Sequence, residues 1–422
     1  MCGIFTTFNV SSQWNSIEKS FQKISYRGPD SSEHLQINNK LTMAFHRLAI
    51  MGISDSGNQP MKHPKDNSLT LICNGEVYNY KKLADDYGFK LTTGSDSEII
   101  LHLFKEIGIE ATVKALDGVF MFVLYDEIND ILYAGRDPIG VRPGFISLNG
   151  DEVCISSEAK SLVEIAKNTM PFPPGSWWSS KNNKKFNKYF YCKPDFKTDD
   201  SQIDILQNVK SLLTNAVIKR LMSEREIGCL LSGGLDSSLI SSIVAKHYPG
   251  GKLNTFSVGI EGSVDLEYAK TVADFIKSKH HSIQITEKDF LDAIEIVIYN
   301  IESYDTTTVR ASVGNYLVSK YIRENTDCKV IFNGDGSDEV CCGYLYLRNA
   351  PSSKELQLES ERLVNELYYF DVLRSDRSIS SNGLEARTPF LDKTFVKYYL
   401  SIPSELKVFN SKDRIQKHIL RK

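Results

Sequence analysis

Apolar positions along this chain of 422 residues follow two rhythms, and the change from one to the other divides it. Up to about residue 190 they gather in short runs separated by turn residues, the mark of strands. Phe45-His46-Arg47-Leu48-Ala49-Ile50 is one such run, with an arginine among apolar neighbours. Leu71-Ile72-Cys73 is another, broken by Asn74-Gly75-Glu76 before Val77-Tyr78-Asn79. Gly118 to Tyr125 and Asp130 to Ala134 read as two strands with a turn between them. Helical spacing enters after Gly94-Ser95-Asp96-Ser97-Glu98, over Ile99 to Lys105. Between about 168 and 202 the pattern loosens into Pro171, Pro173-Pro174-Gly175, Lys181 to Lys185 and Lys193-Pro194-Asp195, as in a linker. From Ile203 onward helices alternate with short apolar strands. Ser201 to Leu221 is an amphipathic helix, and strands are predicted at Ile227 to Leu231, Lys252 to Ile260 and Lys329 to Gly334. Such alternation predicts a parallel sheet with ligands at the carboxyl ends of its strands. The expected domains are 2–190 and 203–422, with 191–202 as the linker.

Composition changes this picture little. A net charge of -3 with 24% charged residues favours neither nucleic acid nor an anionic membrane as partner. The eight cysteines are scattered, none in a C-x-x-C pair, so a reducing, cytoplasmic setting is expected rather than a disulfide framework or a zinc site. No charged-then-apolar leader and no apolar run of about 18 residues is present.

The first candidate chemistry follows Leu231. Ser232-Gly233-Gly234-Leu235-Asp236-Ser237-Ser238 lies between an apolar strand and a helical stretch, Leu239 to Tyr248. Two glycines let the backbone approach an anion, and the N–H groups of the turn and first helical turn point at it. The hydroxyls of Ser232, Ser237 and Ser238 add donors. Asp236 would repel phosphates unless a divalent cation stood between, which implies Mg²⁺ with ATP. The alternative is a Gly-Ser turn that only caps a helix. The stretch lacks the lysine of an ordinary P-loop, and it resembles the PP-loop of ATP pyrophosphatases, which split ATP into AMP and pyrophosphate.

A second centre begins at Cys2. Once Met1 is trimmed, one residue carries a thiol and a free α-amino group whose reference pKa of about 7.7–8 suits it as the base. Alone, a cysteine there means little; Asn74-Gly75 could be a hairpin turn, and Ser95 or Asp96 a helix cap. Together with Tyr26-Arg27-Gly28-Pro29-Asp30 and Gly135 to Pro143, these stretches resemble the glutamine amidotransferases with an N-terminal cysteine nucleophile. The resemblance implies an αββα antiparallel sandwich of the Ntn type. It also implies that Cys2 attacks the glutamine amide, that Asn74 and the Gly75 N–H hold the oxyanion, and that Arg47, beside Leu48, pairs with the α-carboxylate while Glu76 and Asp96 hold the α-ammonium.

Across the whole chain the resemblance narrows to the glutamine-hydrolysing asparagine synthetase family. It is carried by Ser232 to Ser238, Tyr304 to Ser312, Gly334 to Glu339 with Gly343-Tyr344, and Leu384-Glu385-Ala386-Arg387-Thr388-Pro389-Phe390-Leu391-Asp392. The fold implied is α/β and α+β in two domains, the sandwich followed by a doubly wound parallel-sheet PP-loop domain. The activity implied is an ATP-dependent carbon–nitrogen ligase with glutamine as amido donor, working through a thioester at Cys2 and a β-aspartyl-AMP intermediate. Leu231, Val258, Asn333 and Gly334 would join Ser232, Gly233, Gly234, Asp236, Ser237 and Ser238 around ATP. Asp236 and Asp338 would hold Mg²⁺, Thr307 and Arg310 aspartate, and Asp335 would be the base or gate. The partners are the substrates glutamine, aspartate and ATP, and a homodimer is compatible with the reading.

Two departures stand out. The family usually has Ser-Gly-Glu where this chain has Asn333-Gly334-Asp335, an amide for a hydroxyl and an acid one methylene shorter. The sequence ends at Gln416-Lys417-His418-Ile419-Leu420-Arg421-Lys422, whereas the family continues into a lysine followed by Phe-Ser-Asp-Gly. The expectation is that Lys417 or Arg421 takes that lysine's part, or else that synthesis is lost and a glutaminase remains. A non-catalytic scaffold would need neither motif set, a β-lactam synthetase would not need the glutamine pocket, and GMP synthetases carry their nucleophile inside the chain.

Overall fold

The computed structural model describes residues 1–11, 13–182, 185–194, 197–408 and 415–422. Asn183, Lys184 and Asp195 of the loose stretch lie outside the described residues. Contacts divide the chain into two compact units, Met1–Tyr191 with Asp376–Glu385, and Cys192–Ser375 with Ala386–Lys422. The sequence pattern places 376–385 with the second half; the structure packs it with the first.

In the first unit the turn-separated apolar runs become β1 (Gly3–Phe8), β2 (Ser31–Ile37), β3 (Leu41–Arg47), β4 (Met61–His63), β5 (Asp66–Val77), β6 (Gly118–Asp126), β7 (Ile131–Arg136), β8 (Phe145–Asn149), β9 (Glu152–Ser156), β10 (Met170–Pro171), β11 (Ser176–Ser179) and β12 (Asn187–Lys188). They form two six-stranded sheets, ordered β10-β8-β9-β1-β3-β2 and β12-β11-β7-β6-β5-β4. Alternate side chains of both sheets meet in one core, with Ile4, Met43 and Phe45 facing Ile72, Met121 and Val123. Helix α1 (Trp14–Gln22) buries Ile17 and Phe21 against Phe5 and Ala44 on the other face of the first sheet. After α2 (Tyr80–Tyr87), α3 (Glu98–Ala115) covers the second sheet. It runs well past Lys105, with a kink where Gly108 takes φ 71. This is the αββα sandwich.

One expectation is corrected here. Asn74-Gly75-Glu76 does not break its strand: β5 pairs with β6 without a gap from Leu69↔Asp126 to Val77↔Gly118. The β6 backbone supplies a partner at every step, so the local turn preference of Asn-Gly is overridden.

Residues 376–385 are tied to this unit by buried charge. Arg27 Nη1 lies 2.6 Å from Glu158 and 2.9 Å from Asp376, and all three side chains are at most 3% exposed. Lys160 Nζ reaches Glu158 at 2.9 Å.

The second unit contains α4 (Gln202–Lys219), β13 (Ile227–Leu230), α5 (Leu235–His247), β14 (Asn254–Ile260), α6 (Val264–Phe275), β15 (Lys279–Ile285), α7 (Glu287–Asp292), α8 (Ile294–Ile301), α9 (Thr306–Asn325), β16 (Val330–Phe332), α10 (Ser337–Val340), α11 (Ser353–Glu366) and α13 (Lys393–Ser401), and the division between the units runs through α12 (Asp371–Ser380) and β17 (Glu385–Arg387). The sheet order is β15-β14-β13-β16-β17, with β15, β14, β13 and β16 parallel. Strand β15, Lys-His-His-Ser-Ile-Gln-Ile, lies on the edge with every residue at least partly exposed. Its polarity hid it from pattern reading. The supposed linker is docked: Thr198 N donates to Ser401 O at 2.9 Å and Tyr398 OH to Asp200 at 2.6 Å.

Arg27→Leu should lower the stability of the first unit by about 3 kcal/mol, since it leaves Glu158 and Asp376 buried without their shared counter-charge. All three tryptophans, Trp14, Trp177 and Trp178, lie in this unit, so a denaturant midpoint read by tryptophan fluorescence checks it.

Candidate active sites

In the first unit the β1–β3 register sets Gly3 opposite His46, which brings Cys2 beside Arg47 and Leu48. Strand β5 of the facing sheet presents Gly75 and Glu76 to the same small cavity, and the loop before α3 adds Asp96. Cys2 Sγ accepts from Leu48 N at 3.4 Å. Burial pushes the Cys2 thiol pKa up, while the chain-terminal amine and the Leu48 N–H pull it down. Asn74 is 1% exposed, and neither atom of its side-chain amide is hydrogen-bonded. A buried amide left in that state costs free energy unless something completes it. Arg47 is held by Ser54 O at 2.9 Å, Asn58 Oδ1 at 2.7 Å and the Gly52 carbonyl. Asp96 accepts from Val77 N at 2.5 Å. Met1 is 1% exposed, and its amine donates to Leu384 O at 3.0 Å. Burial lowers the pKa of that amine to about 5.

In the second unit the adjacent parallel strands β13 and β16 end side by side, Cys229 opposite Phe332. The two glycine loops that follow are therefore neighbours. Gly233 takes φ +78, and a Cβ there would meet Tyr268 Cβ at 2.5 Å, so the Ser232 to Ser238 turn needs glycine on both counts. The first N–H groups of α5 have no acceptor within the helix. The Ser232 and Ser237 hydroxyls lie 3.0 Å apart, and Ser238 Oγ is buried without a partner. Leu231 is buried behind the loop, and Val258 is part-buried toward the end of β14.

Gly334 packs on the start of α5, where a Cβ would lie 3.0 Å from both Asp236 Cβ and Ser237 N. Ser337 Oγ then donates to Asp236 Oδ1 at 2.9 Å. The sharpest contact is Lys417, whose Nζ is 2.5 Å from Asp236 Oδ2 and 2.8 Å from Asp338 Oδ1. Burial opposes its charge, and the two carboxylates overcome that and raise its pKa. Arg421 turns back instead to Gln416 O at 3.0 Å. The pair Asp236 and Asp338 thus converges on one cationic point. Two carboxylates are what Mg²⁺ takes from a protein when phosphate oxygens and water complete its shell; no cluster of three or more metal-binding side chains occurs among the described residues.

Beside this point lies a cavity of about 410 Å³ lined by Thr307, Thr308, Glu339, Asp371 and Arg374, among others. Thr307 is at the start of α9, which Asp305 caps by accepting from Thr308 N at 2.8 Å. Arg310 is exposed and is not part of the lining. The guanidinium there is that of Arg374, which reading of the sequence missed. Its Nη2 is 3.1 Å from Asp371 and 3.6 Å from Asp335, and its Nε is buried without a partner. Burial next to Asp371 pushes the Glu339 carboxyl pKa up.

Two family models cover the chain, glutamine amidotransferase domain over residues 1–219 and asparagine synthase over 208–368 and 348–422. Asparagine synthetases (glutamine-hydrolyzing) of rat, human and chicken are each 43% identical over 100% of this chain and 80% of their own length. The chain belongs to the glutamine-hydrolysing asparagine synthetase family. Among solved structures, glutamine phosphoribosylpyrophosphate amidotransferase from B. subtilis aligns over 99% of this chain and 100% of its own, at 13% identity and a TM-score of 0.38, too low to bear on either site. Within the asparagine synthetase family the two motif sets of this chain fall in separate units, each gathered at one end of a sheet.

Gly343 allows the Lys417 contact. A Cβ there would stand 2.0 Å from Asp338 Oδ1 and 2.2 Å from Lys417 Cε. Both are side-chain atoms, so Gly343→Ala should displace the site and spare the fold. The expected result is a KM for MgATP raised about tenfold or more, with a near-unchanged unfolding midpoint, read by pyrophosphate release and thermal denaturation.

Proposed function

We infer that this chain makes asparagine from aspartate, ATP and glutamine, releasing AMP, diphosphate and glutamate. The observation that carries the reading is the meeting of Asp236, Asp338 and the Ser232 to Ser238 loop beside a cavity that holds Thr307 and Arg374, in a chain that also gathers Cys2, Arg47, Gly75, Glu76 and Asp96 around one small cavity.

In the first unit Cys2 Sγ attacks the carboxamide carbon of glutamine. Removal of Met1 leaves the Cys2 amine as the base that takes the thiol proton. The Asn74 amide and the Gly75 N–H receive the oxyanion, a contribution of about 3 kcal/mol in such sites. Arg47 matches the substrate α-carboxylate as a planar fork, with Leu48 beside it, and Glu76 and Asp96 face the α-ammonium. Ammonia leaves, and water frees glutamate from the thioester.

In the second unit Ser232 to Ser238 cradle the phosphates, while Leu231, Val258, Asn333 and Gly334 border the adenosine. Asp236 and Asp338 would hold Mg²⁺, which supplies positive charge to the diphosphate leaving group. Lys417 adds a fixed cation at the same point, and on this reading it takes the part expected of Lys417 or Arg421. The aspartate β-carboxylate displaces diphosphate from the α-phosphorus, and ammonia then displaces AMP from the acyl carbon. Thr307 contacts aspartate; the unbonded Nε of Arg374 favours that residue over Arg310 as the partner of its α-carboxylate. Asp335, between the two, takes a proton from the incoming ammonium or gates it. The eight thiols are unpaired and no helix among the described residues is long and apolar enough to cross a membrane, which supports a cytoplasmic setting.

Two measurements test this. Aspartate-dependent diphosphate release from MgATP with ammonium should match asparagine formed one to one; release of glutamate from glutamine without any diphosphate would leave only a glutaminase. Cys2→Ala should abolish glutamine-dependent asparagine formation and keep the ammonium-dependent rate within about twofold.

A further inference from the structure

Thr92, Thr93 and Glu98 have no part in the scheme above, and they bracket the turn that carries Asp96. Glu98 opens α3 and is 0% exposed. Its carboxyl oxygens collect the donors of the segment just before it. Thr92 N donates to Oε2 at 2.8 Å and Thr92 Oγ1 to Oε1 at 3.1 Å, while Thr93 N and Thr93 Oγ1 both reach Oε2 at 2.7 Å. His102 Nε2, one turn along the helix, lies 3.3 Å from Oε1. Burial opposes the charge of this carboxyl, and the bonds from His102, Thr93 and Thr92 overcome that and bring its pKa down to about 2.

The Thr93 hydroxyl has a second contact. Its proton goes to Glu98, and its oxygen accepts from Ser95 N at 3.2 Å. A hydroxyl can donate and accept together, so both bonds are made at once. Ser95 and Asp96 are 6% and 3% exposed and line the small cavity with Cys2 and Arg47. The Glu98 backbone N–H donates in turn to Ser95 O at 3.3 Å. The turn is therefore tied from both sides to one buried acid, by its main chain on the helix side and by its carboxylate, through Thr93, on the other. Thr93 itself is only half-buried, so nothing in the core requires its hydroxyl.

We propose that Thr93, oriented by Glu98, is a positioning residue for glutamine: its hydroxyl fixes Ser95, and with it the direction in which the Asp96 carboxylate meets the substrate α-ammonium. The acid fixes the hydroxyl, the hydroxyl fixes the turn, and the turn aims Asp96. A shifted Asp96 loosens the hold on the amino-acid end of the substrate and leaves the reacting amide alone, so the effect falls on KM. This rests on the reading of the Cys2 cavity as the glutamine site with Asp96 at the ammonium, and the test separates the two.

The experiment is steady-state glutamate release from glutamine by the full chain, with KM resolved from kcat, beside ammonium-dependent asparagine formation and thermal denaturation. Thr93→Val removes the hydroxyl at equal size and should raise KM for glutamine about fivefold, the worth of one net hydrogen bond, with kcat within about twofold. Thr93→Ser, which keeps the hydroxyl, should restore KM. Neither variant should move the ammonium-dependent rate or the unfolding midpoint. Asp96→Asn should raise KM at least as far, and adding Thr93→Val to it should raise KM no further, because Thr93 acts through that acid. No glutamate release by the wild-type chain, or Asp96→Asn at the wild-type KM, would overturn the reading of the cavity and the proposal with it. Asp96→Asn impaired with Thr93→Val at the wild-type KM would overturn the proposal only. Additive losses in the double variant, or a loss in Thr93→Val that serine does not rescue or that comes with a lowered unfolding midpoint, would also overturn it, as each marks a structural role.

Discussion

The second unit is built around two negative side chains that meet at one point. Like charges about 4 Å apart at an effective dielectric constant near 20 repel by about 4 kcal/mol, so Asp236 and Asp338 converge only where a cation answers both. Lys417 does so at 2.5 and 2.8 Å. Much of the local structure serves that meeting. Strands β13 and β16 must be neighbours so that their loops touch, Gly334 must lack a side chain so that the acidic loop reaches α5, and Gly343 must leave room for the lysine stem. A site that collects acids in this way has a ready place for a further cation and for the phosphates that come with it.

The first unit treats charge differently. Its deepest ionic group, Arg27 with Glu158 and Asp376, is backed by Lys160 and serves to hold residues 376–385. At the end that holds Cys2, Arg47 is fastened by the Ser54 carbonyl and the Asn58 amide among its partners, and the Asn74 side-chain amide is buried with neither atom hydrogen-bonded.

What was legible in the sequence was whatever chemistry a short stretch carries by itself. Ser232 to Ser238 holds glycines, hydroxyls and an acid within one turn, and the alternating apolar runs of the first half could bury one face only as a sheet. The failures came where distant residues decide. Asn74-Gly75 looks like a turn until β6 pairs beside it. Asp371 and Arg374, three apart on a helix, resemble an ordinary surface pair; only the fold brings Glu339 and Asp335 to them. Arg310 has the right charge and a neighbouring place in the sequence, yet it is exposed on α9. The return of 376–385 to the first unit has no local signal at all, because it depends on Arg27 some 349 positions away.

That return has a consequence for the order of events during synthesis. The Met1 amine is bonded to Leu384 O, and its side chain is 1% exposed, so an aminopeptidase finds no extended N-terminus once the first unit has closed. The closing piece leaves the ribosome well after Tyr191; at about 5–20 residues per second the delay is roughly ten to forty seconds. On the proposed reading, in which Cys2 needs a free amine, Met1 has to be trimmed before residues 376–385 arrive. The position of ten residues late in the chain would then set a clock on an event at its beginning.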